Sequence, residues 1–162
     1  MIVADANLIA ALILPVSQHT ETAEEILLFD RDWAAPALWK SEFCNILATA
    51  VRNGVLNLEL AIDAMEAAEQ VMCGSEFAVS SVETLKLAAE SGCIAYDSEY
   101  MLLARELEVQ LVTFDKKLLR EFPEIAVHPG DFIPQEPARH SDLARRSTAE
   151  STAQPPQAPL DR

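Results

Sequence analysis

Ile2-Val3-Ala4-Asp5-Ala6-Asn7 is the stretch on which the fold turns. Three apolar residues, two of them β-branched, make a short strand of the kind buried on both faces in a parallel sheet. The carboxylate that follows stands at the carboxyl end of that strand, where open parallel sheets bind ligands. Outward from it, short apolar runs alternate with longer stretches of helical periodicity, the pattern of a parallel sheet covered by helices. After Ile2 to Ala4 the strand candidates are Trp33 to Ala35, Phe77 to Val79, Leu111 to Phe114 and Ile125 to Val127. At least six helices lie between them. The clearest run from about Thr20 to Phe29, Ala37 to Arg52, Leu58 to Met72, Val82 to Glu90, Ser98 to Glu108 and Lys116 to Glu121. Gly54, Gly74 and Gly92 follow three of these helices and Pro36 precedes the second, as helix ends and starts require. The expected architecture is α/β, a three-layer α/β/α sandwich around a central, mainly parallel sheet.

The chain has 162 residues, half of them hydrophobic, which suffices for one core. Residues 1–133 are expected to form that domain. Composition changes after Ile133: the last 29 residues hold five of the nine prolines and many Ser, Thr, Ala and Gln, so 134–162 reads as a disordered tail. Its four arginines balance its four acids, leaving the net charge of −14 on residues 1–133. That excess excludes a protein that grips nucleic acid with a broad basic face; any such partner is met locally. Cys44, Cys73 and Cys93 are widely spaced, without CxxC or histidine pairing, and read as reduced thiols filling the core rather than as disulfides or zinc ligands. No stretch has signal-peptide or membrane-spanning character, so a cytoplasmic location and no membrane contact are expected.

Four acids stand where chemistry is possible. Asp5 and Asp115 each follow an apolar run, and Asp115 also opens the helix begun by Lys116; each is either a helix cap or a ligand at the sheet edge. Asp97, in Tyr96-Asp97-Ser98-Glu99-Tyr100, precedes an amphipathic helix and reads in the same two ways. Glu42 lies about 60° around its helix from Trp39, beside the apolar stripe of Trp39, Phe43, Ile46 and Ala50. Leu38 and Ile46, four residues before and after it, make full exposure unfavourable. Gathered at one edge, such acids suit a hard divalent cation such as Mg²⁺ or Mn²⁺. Two carboxylates ~4 Å apart repel by about 4 kcal/mol at an effective dielectric near 20, so a metal-free cluster is retained only for a use. Metal-assisted phosphodiester hydrolysis is one.

The succession Ile2-Val3-Ala4-Asp5-Ala6-Asn7, Ser41-Glu42-Phe43-Cys44-Asn45, Tyr96-Asp97-Ser98-Glu99-Tyr100 and Val112-Thr113-Phe114-Asp115 resembles the PIN-domain ribonucleases, with the nearest likeness to the VapC-type toxins of bacterial toxin–antitoxin pairs. The resemblance spans Met1 to about Ile133. It implies that Asp5, Glu42, Asp97 and Asp115 form a catalytic metal site for Mg²⁺ or Mn²⁺, with Asn7 and Thr113 as supporting polar groups. It also implies an RNA substrate, a cognate antitoxin and a homodimer. Some relatives carry a further acid after the last one; here Lys116 and Lys117 stand there and, with Lys40 and Arg52, are candidates to contact RNA phosphates.

Rival folds fit less well. A dehalogenase-type phosphatase needs a second Asp two residues after the first, where Asn7 stands. A receiver domain needs an acidic pair there, and four glycines in all leave no phosphate-binding loop. The remaining alternative is a PIN-like interaction module without activity.

Overall fold

The computed structural model describes residues 1–14 and 17–133; the expectation for 134–162 lies outside them. Five strands, β1 (Ile2–Ala4), β2 (Trp33–Pro36), β3 (Glu76–Phe77), β4 (Leu111–Val112) and β5 (Ala126–Val127), form one sheet in the order β3-β2-β1-β4-β5. Every pairing is parallel, with Val3 opposite both Ala34 and Leu111. Among the described residues eight helices connect and flank the strands: α1 (Ala6–Ile13), α2 (Thr20–Phe29), α3 (Trp39–Arg52), α4 (Leu58–Val71), α5 (Ser81–Ser91), α6 (Ala95–Glu106), α7 (Lys116–Glu121) and α8 (Pro129–Phe132).

The chain first winds from β1 outward to β3, then returns across the sheet to β4 on the other side of β1. This reversal leaves a crevice beyond the carboxyl ends of β1 and β4, the switch point of an open α/β sheet. β1 is wholly buried, and Leu111 and Val112 of β4 are 0% exposed, which is why these two strands carry no polar residue until they end.

Local chemistry sets the helix ends. Asn57 caps α4 through Leu60 N–H at 2.8 Å, Ser80 caps α5 through Glu83 N–H, and Asp115 Oδ1 accepts the N–H groups of Lys117 and Leu118 at the start of α7. α3 starts at Trp39, not at Ala37, because the Ala37 N–H is already donated to the Phe77 carbonyl of β3 and Pro36 completes β2. Trp39 and Phe43 are fully buried on the inner side of α3, which packs against α1 and α4, and Trp39 Nε1 has no hydrogen-bond partner among the described residues. The reading of the cysteines as core filler holds for Cys93 alone; Cys44 and Cys73 are exposed, lying on the outer side of α3 and beyond α4.

α5 ends on Gly92, which takes φ +70 and turns the chain toward α6. A Cβ placed there would meet nothing within 4 Å, so any penalty at this position comes from the backbone alone. Left-handed backbone costs a non-glycine residue about 1–2 kcal/mol. Gly92→Ala is therefore expected to lower the melting temperature by roughly 5 °C in a domain of this size. An unchanged melting curve would show that the α5–α6 turn is not held in this conformation.

Candidate active site

Asp5 closes β1 and caps α1. It is 8% exposed, and its Oδ2 accepts two side-chain hydrogen bonds, from Asn7 Nδ2 at 2.8 Å and from the Thr113 hydroxyl. Thr113 is itself fully buried, and its hydroxyl oxygen also accepts from Asn7 Nδ2 (3.2 Å) and from the Asp115 N–H (2.9 Å). Asn7 completes the set by accepting the Phe114 N–H at 3.1 Å. The ends of β1 and β4 are thus locked together by one polar network, with Asp5 at its centre.

Three further acids enter from other elements. Glu42 lies in the first turn of α3, half-buried, and its Oε2 accepts the Tyr100 hydroxyl at 2.7 Å. Asp97 lies in the first turn of α6, and Asp115 at the N-cap of α7. All four carboxylates line one cleft of about 600 Å³, together with Asn7, Leu38, Ser41, Asn45, Ile46 and Tyr96. The cap alternative for Asp97 does not hold: α6 begins at Ala95 after an extended Ile94, so Asp97 is inside the helix. Asp5 and Asp115 do cap helices, with the second carboxylate oxygen of Asp115 left over from capping.

The electrostatics are those of like charges drawn out of water. Burial raises the Asp5 pKa to about 6, further helped by Asp115 and Asp97 and opposed by the bonds from Thr113 and Asn7. Burial also raises Glu42, against the lowering effect of the Tyr100 hydrogen bond, and raises Asp97, where Asp115 adds and the Lys117 ammonium subtracts. Tyr100 is 2% exposed and its hydroxyl is held far above its ordinary pKa by burial and by Glu42, so it remains a donor.

No family model matches the chain. Ribonuclease VapC3 of Pyrobaculum aerophilum is 30% identical to it over 128 residues, covering 76% of this chain and 96% of that protein. The chain belongs to the VapC ribonuclease family. Its fold is shared with solved structures of lower identity. The crystal structure of PAE2754 from Pyrobaculum aerophilum matches with a TM-score of 0.64 at 21% identity, covering 91% of this chain and 89% of that one. FitAcB from Neisseria gonorrhoeae matches at 0.60 and 17%, covering 80% and 99%. A toxin–antitoxin complex from Klebsiella pneumoniae matches at 0.54 and 14%, covering 80% and 98%. These likenesses establish the PIN-domain fold of this VapC-family chain.

The sequence candidates divide between the cleft and its surroundings. Asp5, Asn7, Glu42, Asp97 and Asp115 line the cleft, and Thr113 supports it from beneath. Lys117 is near: its Nζ donates to the Gly92 carbonyl at 3.0 Å, tying α7 to the turn that leads into α6. Lys116 is exposed and does not line the cleft. Lys40 is paired with Glu76 at 2.9 Å and Glu69 at 3.5 Å, while Arg52 bonds Thr49 at the far end of α3, about 15 Å of helix from Glu42. Tyr100 carries no role in the sequence reading, although it lies one helical turn from Asp97 and that spacing puts both on one face. Ser41 and Asn45, on the same helix as Glu42, carry no distinguishing sequence signal: polar residues on an amphipathic helix read as solvent-facing until the neighbouring wall is known.

The donors that face the cleft are carboxylate, amide and hydroxyl oxygens, the set preferred by Mg²⁺ and Mn²⁺. Among the described residues no three acidic, His or Cys groups already stand close enough to hold one ion directly. Mg²⁺ commonly uses one or two carboxylates and keeps several waters, so this spacing is compatible with it.

Proposed function

We propose that this chain is a metal-dependent endoribonuclease that hydrolyses RNA phosphodiester bonds at the carboxylate cleft, and that it is the toxin of a toxin–antitoxin pair. The observation that carries the reading is the convergence of Asp5, Glu42, Asp97 and Asp115, from four different elements, on the β1–β4 switch point of a VapC-family chain. When bound, Mg²⁺ or Mn²⁺ supplies a polarised water and offsets the charge on the phosphate. One or two of Asp5, Asp97, Asp115 and Glu42 would hold it directly, and the others would reach it through water. Asn7 and Thr113 fix Asp5, and the Tyr100 hydroxyl fixes Glu42, so the protein's own contribution is preorganised orientation. Carboxylates with raised proton affinity are stabilised as anions by a cation, which is why the cluster suits a metal better than an empty state.

The partner that the reading implies is an antitoxin with a basic segment, for which a body of net charge −14 is the electrostatic complement; the name of the Klebsiella complex supports the pairing by analogy. A homodimer is part of the same proposal. Among the described residues no helix is long and apolar enough to cross a membrane.

The competing reading is an inactive PIN-like module, favoured by the capping bonds that already occupy Asp5 and Asp115. Two measurements separate them. Incubating the purified chain with a pool of structured RNAs should give cleavage with Mg²⁺ or Mn²⁺ that is lost in EDTA and in Asp97→Asn; intact RNA throughout would favour the module. Mn²⁺ at about 100 times its dissociation constant should add about 2.7 kcal/mol of stability, a rise in melting temperature on the order of 10 °C. A melting curve indifferent to Mn²⁺ would overturn the metal site itself.

A further inference from the structure

We propose that two aromatic surfaces beside the cleft, Tyr96 and the stacked pair His19 and Phe114, are stacking sites for unpaired nucleobases of an RNA strand. The inference rests on the ribonuclease reading and addresses what that reading leaves open: how a domain of net charge −14 holds a polyanion. Cations beside the cleft are few. Among the described residues Lys40 is engaged by two glutamates, Arg52 is remote, Lys117 is tied to the Gly92 carbonyl, and Lys116, though exposed, does not line the cleft. Stacking of bases on aromatic rings is independent of net charge and works on any unpaired base.

Tyr96 lines the cleft, and the His19–Phe114 pair adjoins it through Asp115, the next residue in the chain. Tyr96 stands next to Asp97 and is 59% exposed, so its ring face is open to the cleft and to solvent. Phe114 directly precedes Asp115, and its N–H is held by Asn7, which lines the cleft. His19 stacks on Phe114 with ring centroids 4.4 Å apart and an interplanar angle of 28°, while His128 meets the same ring edge-on at 5.4 Å. Both histidines of the described residues therefore converge, from positions 19 and 128, on the one phenylalanine beside the metal-site candidate. They are not equivalent. His128 Nδ1 accepts the Gly130 N–H and caps α8, a structural duty. His19 occupies the N-cap position of α2 yet makes no side-chain capping bond; among the described residues its ring nitrogen meets the Gln18 side chain alone, at 3.2 Å. Its ring is thus held flat against Phe114 while the side chain stays partly exposed, as a stacking platform requires.

The test is binding of a short single-stranded RNA containing 2-aminopurine to the full chain in EDTA, where stacking persists and metal-assisted cleavage does not run. Stacking quenches the 2-aminopurine fluorescence. Tyr96→Ala and His19→Ala are each expected to weaken binding about tenfold and to restore fluorescence, whereas Tyr96→Phe and His19→Phe keep both binding and quenching. Tyr96 is exposed enough that its truncation leaves the melting temperature unchanged, which keeps the test informative even if His19→Ala perturbs the start of α2. If the alanine variants bind and quench like the wild type while the wild type still cleaves RNA with Mn²⁺, the stacking sites are overturned and the ribonuclease reading stands. A wild type that neither quenches nor cleaves overturns both.

Discussion

Replacing Asp5 by Asn is expected to abolish RNA cleavage while leaving the fold intact and, at neutral pH, more stable. The loss of activity should exceed about 100-fold, more than is typical when an outer partner of a metal site is removed, because Asp5 itself is the proposed ligand. The gain in stability follows from burial. A carboxyl raised from 3.8 to about 6 is penalised in its ionised form by about 3 kcal/mol. The folded state binds the proton more tightly than the unfolded one, so this penalty is complete above pH 6, shrinks as pH falls from 6 toward 4, and is absent below. Metal-free wild type should therefore melt at higher temperature at pH 5 than at pH 7.5, as far as Asp5 governs, and Asp5→Asn should flatten that slope.

The hydrogen bonds decide whether the amide fits. In Asp5→Asn the new side chain would turn its carbonyl oxygen toward Asn7 Nδ2 and the Thr113 hydroxyl, keeping both donors that now meet Oδ2. Its NH₂ would then face the Asn7 N–H, at present a long 3.4 Å capping contact, so only the weakest bond is lost. Thermal melts over this pH range, with RNA cleavage assayed on the same preparations, check both halves. An unfolded Asp5→Asn variant would assign Asp5 a structural role; a folded variant that still cleaves would remove it from the metal site.

How much of this was legible beforehand follows from the kind of signal each residue gives. β1 is observed over Ile2–Ala4 as expected, and α2 and α7 also match, because a strand buried on both faces, the apolar spacing of α2 and the Asp115 cap of α7 announce themselves in the sequence. α1 was not foreseen. Ala6-Asn7-Leu8-Ile9-Ala10-Ala11-Leu12-Ile13 is apolar nearly all round, and a helix without a polar face has no 3.6-residue contrast to detect. β4 ends at Val112 rather than Phe114: the Thr113 N–H still bonds the Val127 carbonyl, but the Phe114 N–H turns to the Asn7 side chain, a tertiary demand invisible in a run of apolar residues. Glu42 could be singled out because its helix has a sharp apolar stripe that it borders. Tyr100 could not, since its hydroxyl gains meaning only once α3 and α6 are known to face each other across 58 residues of chain.

That contact carries the other large effect. Tyr100→Phe keeps the ring that fills a fully buried position and removes only the hydroxyl that donates to Glu42 Oε2 at 2.7 Å. Hydrogen bonds to charged acceptors contribute about 1.5–3 kcal/mol, so the carboxylate form of a half-buried Glu42 loses most of its compensation for desolvation. Its proton affinity, already raised by burial and by Asp5 and Asp97, must rise further. At neutral pH a larger fraction of Glu42 is then protonated and unable to serve as an anionic ligand. Cleavage should fall at pH 7, and the acid limb of the kcat/KM profile should move to higher pH by about one unit, the lower bound of that hydrogen-bond energy. Raising the pH should restore much of the activity. A purely structural tyrosine would give a uniform loss at every pH, with no displacement of the limb. The two outcomes therefore distinguish a residue that tunes the charge of Glu42 from one that merely fills the core beneath α6.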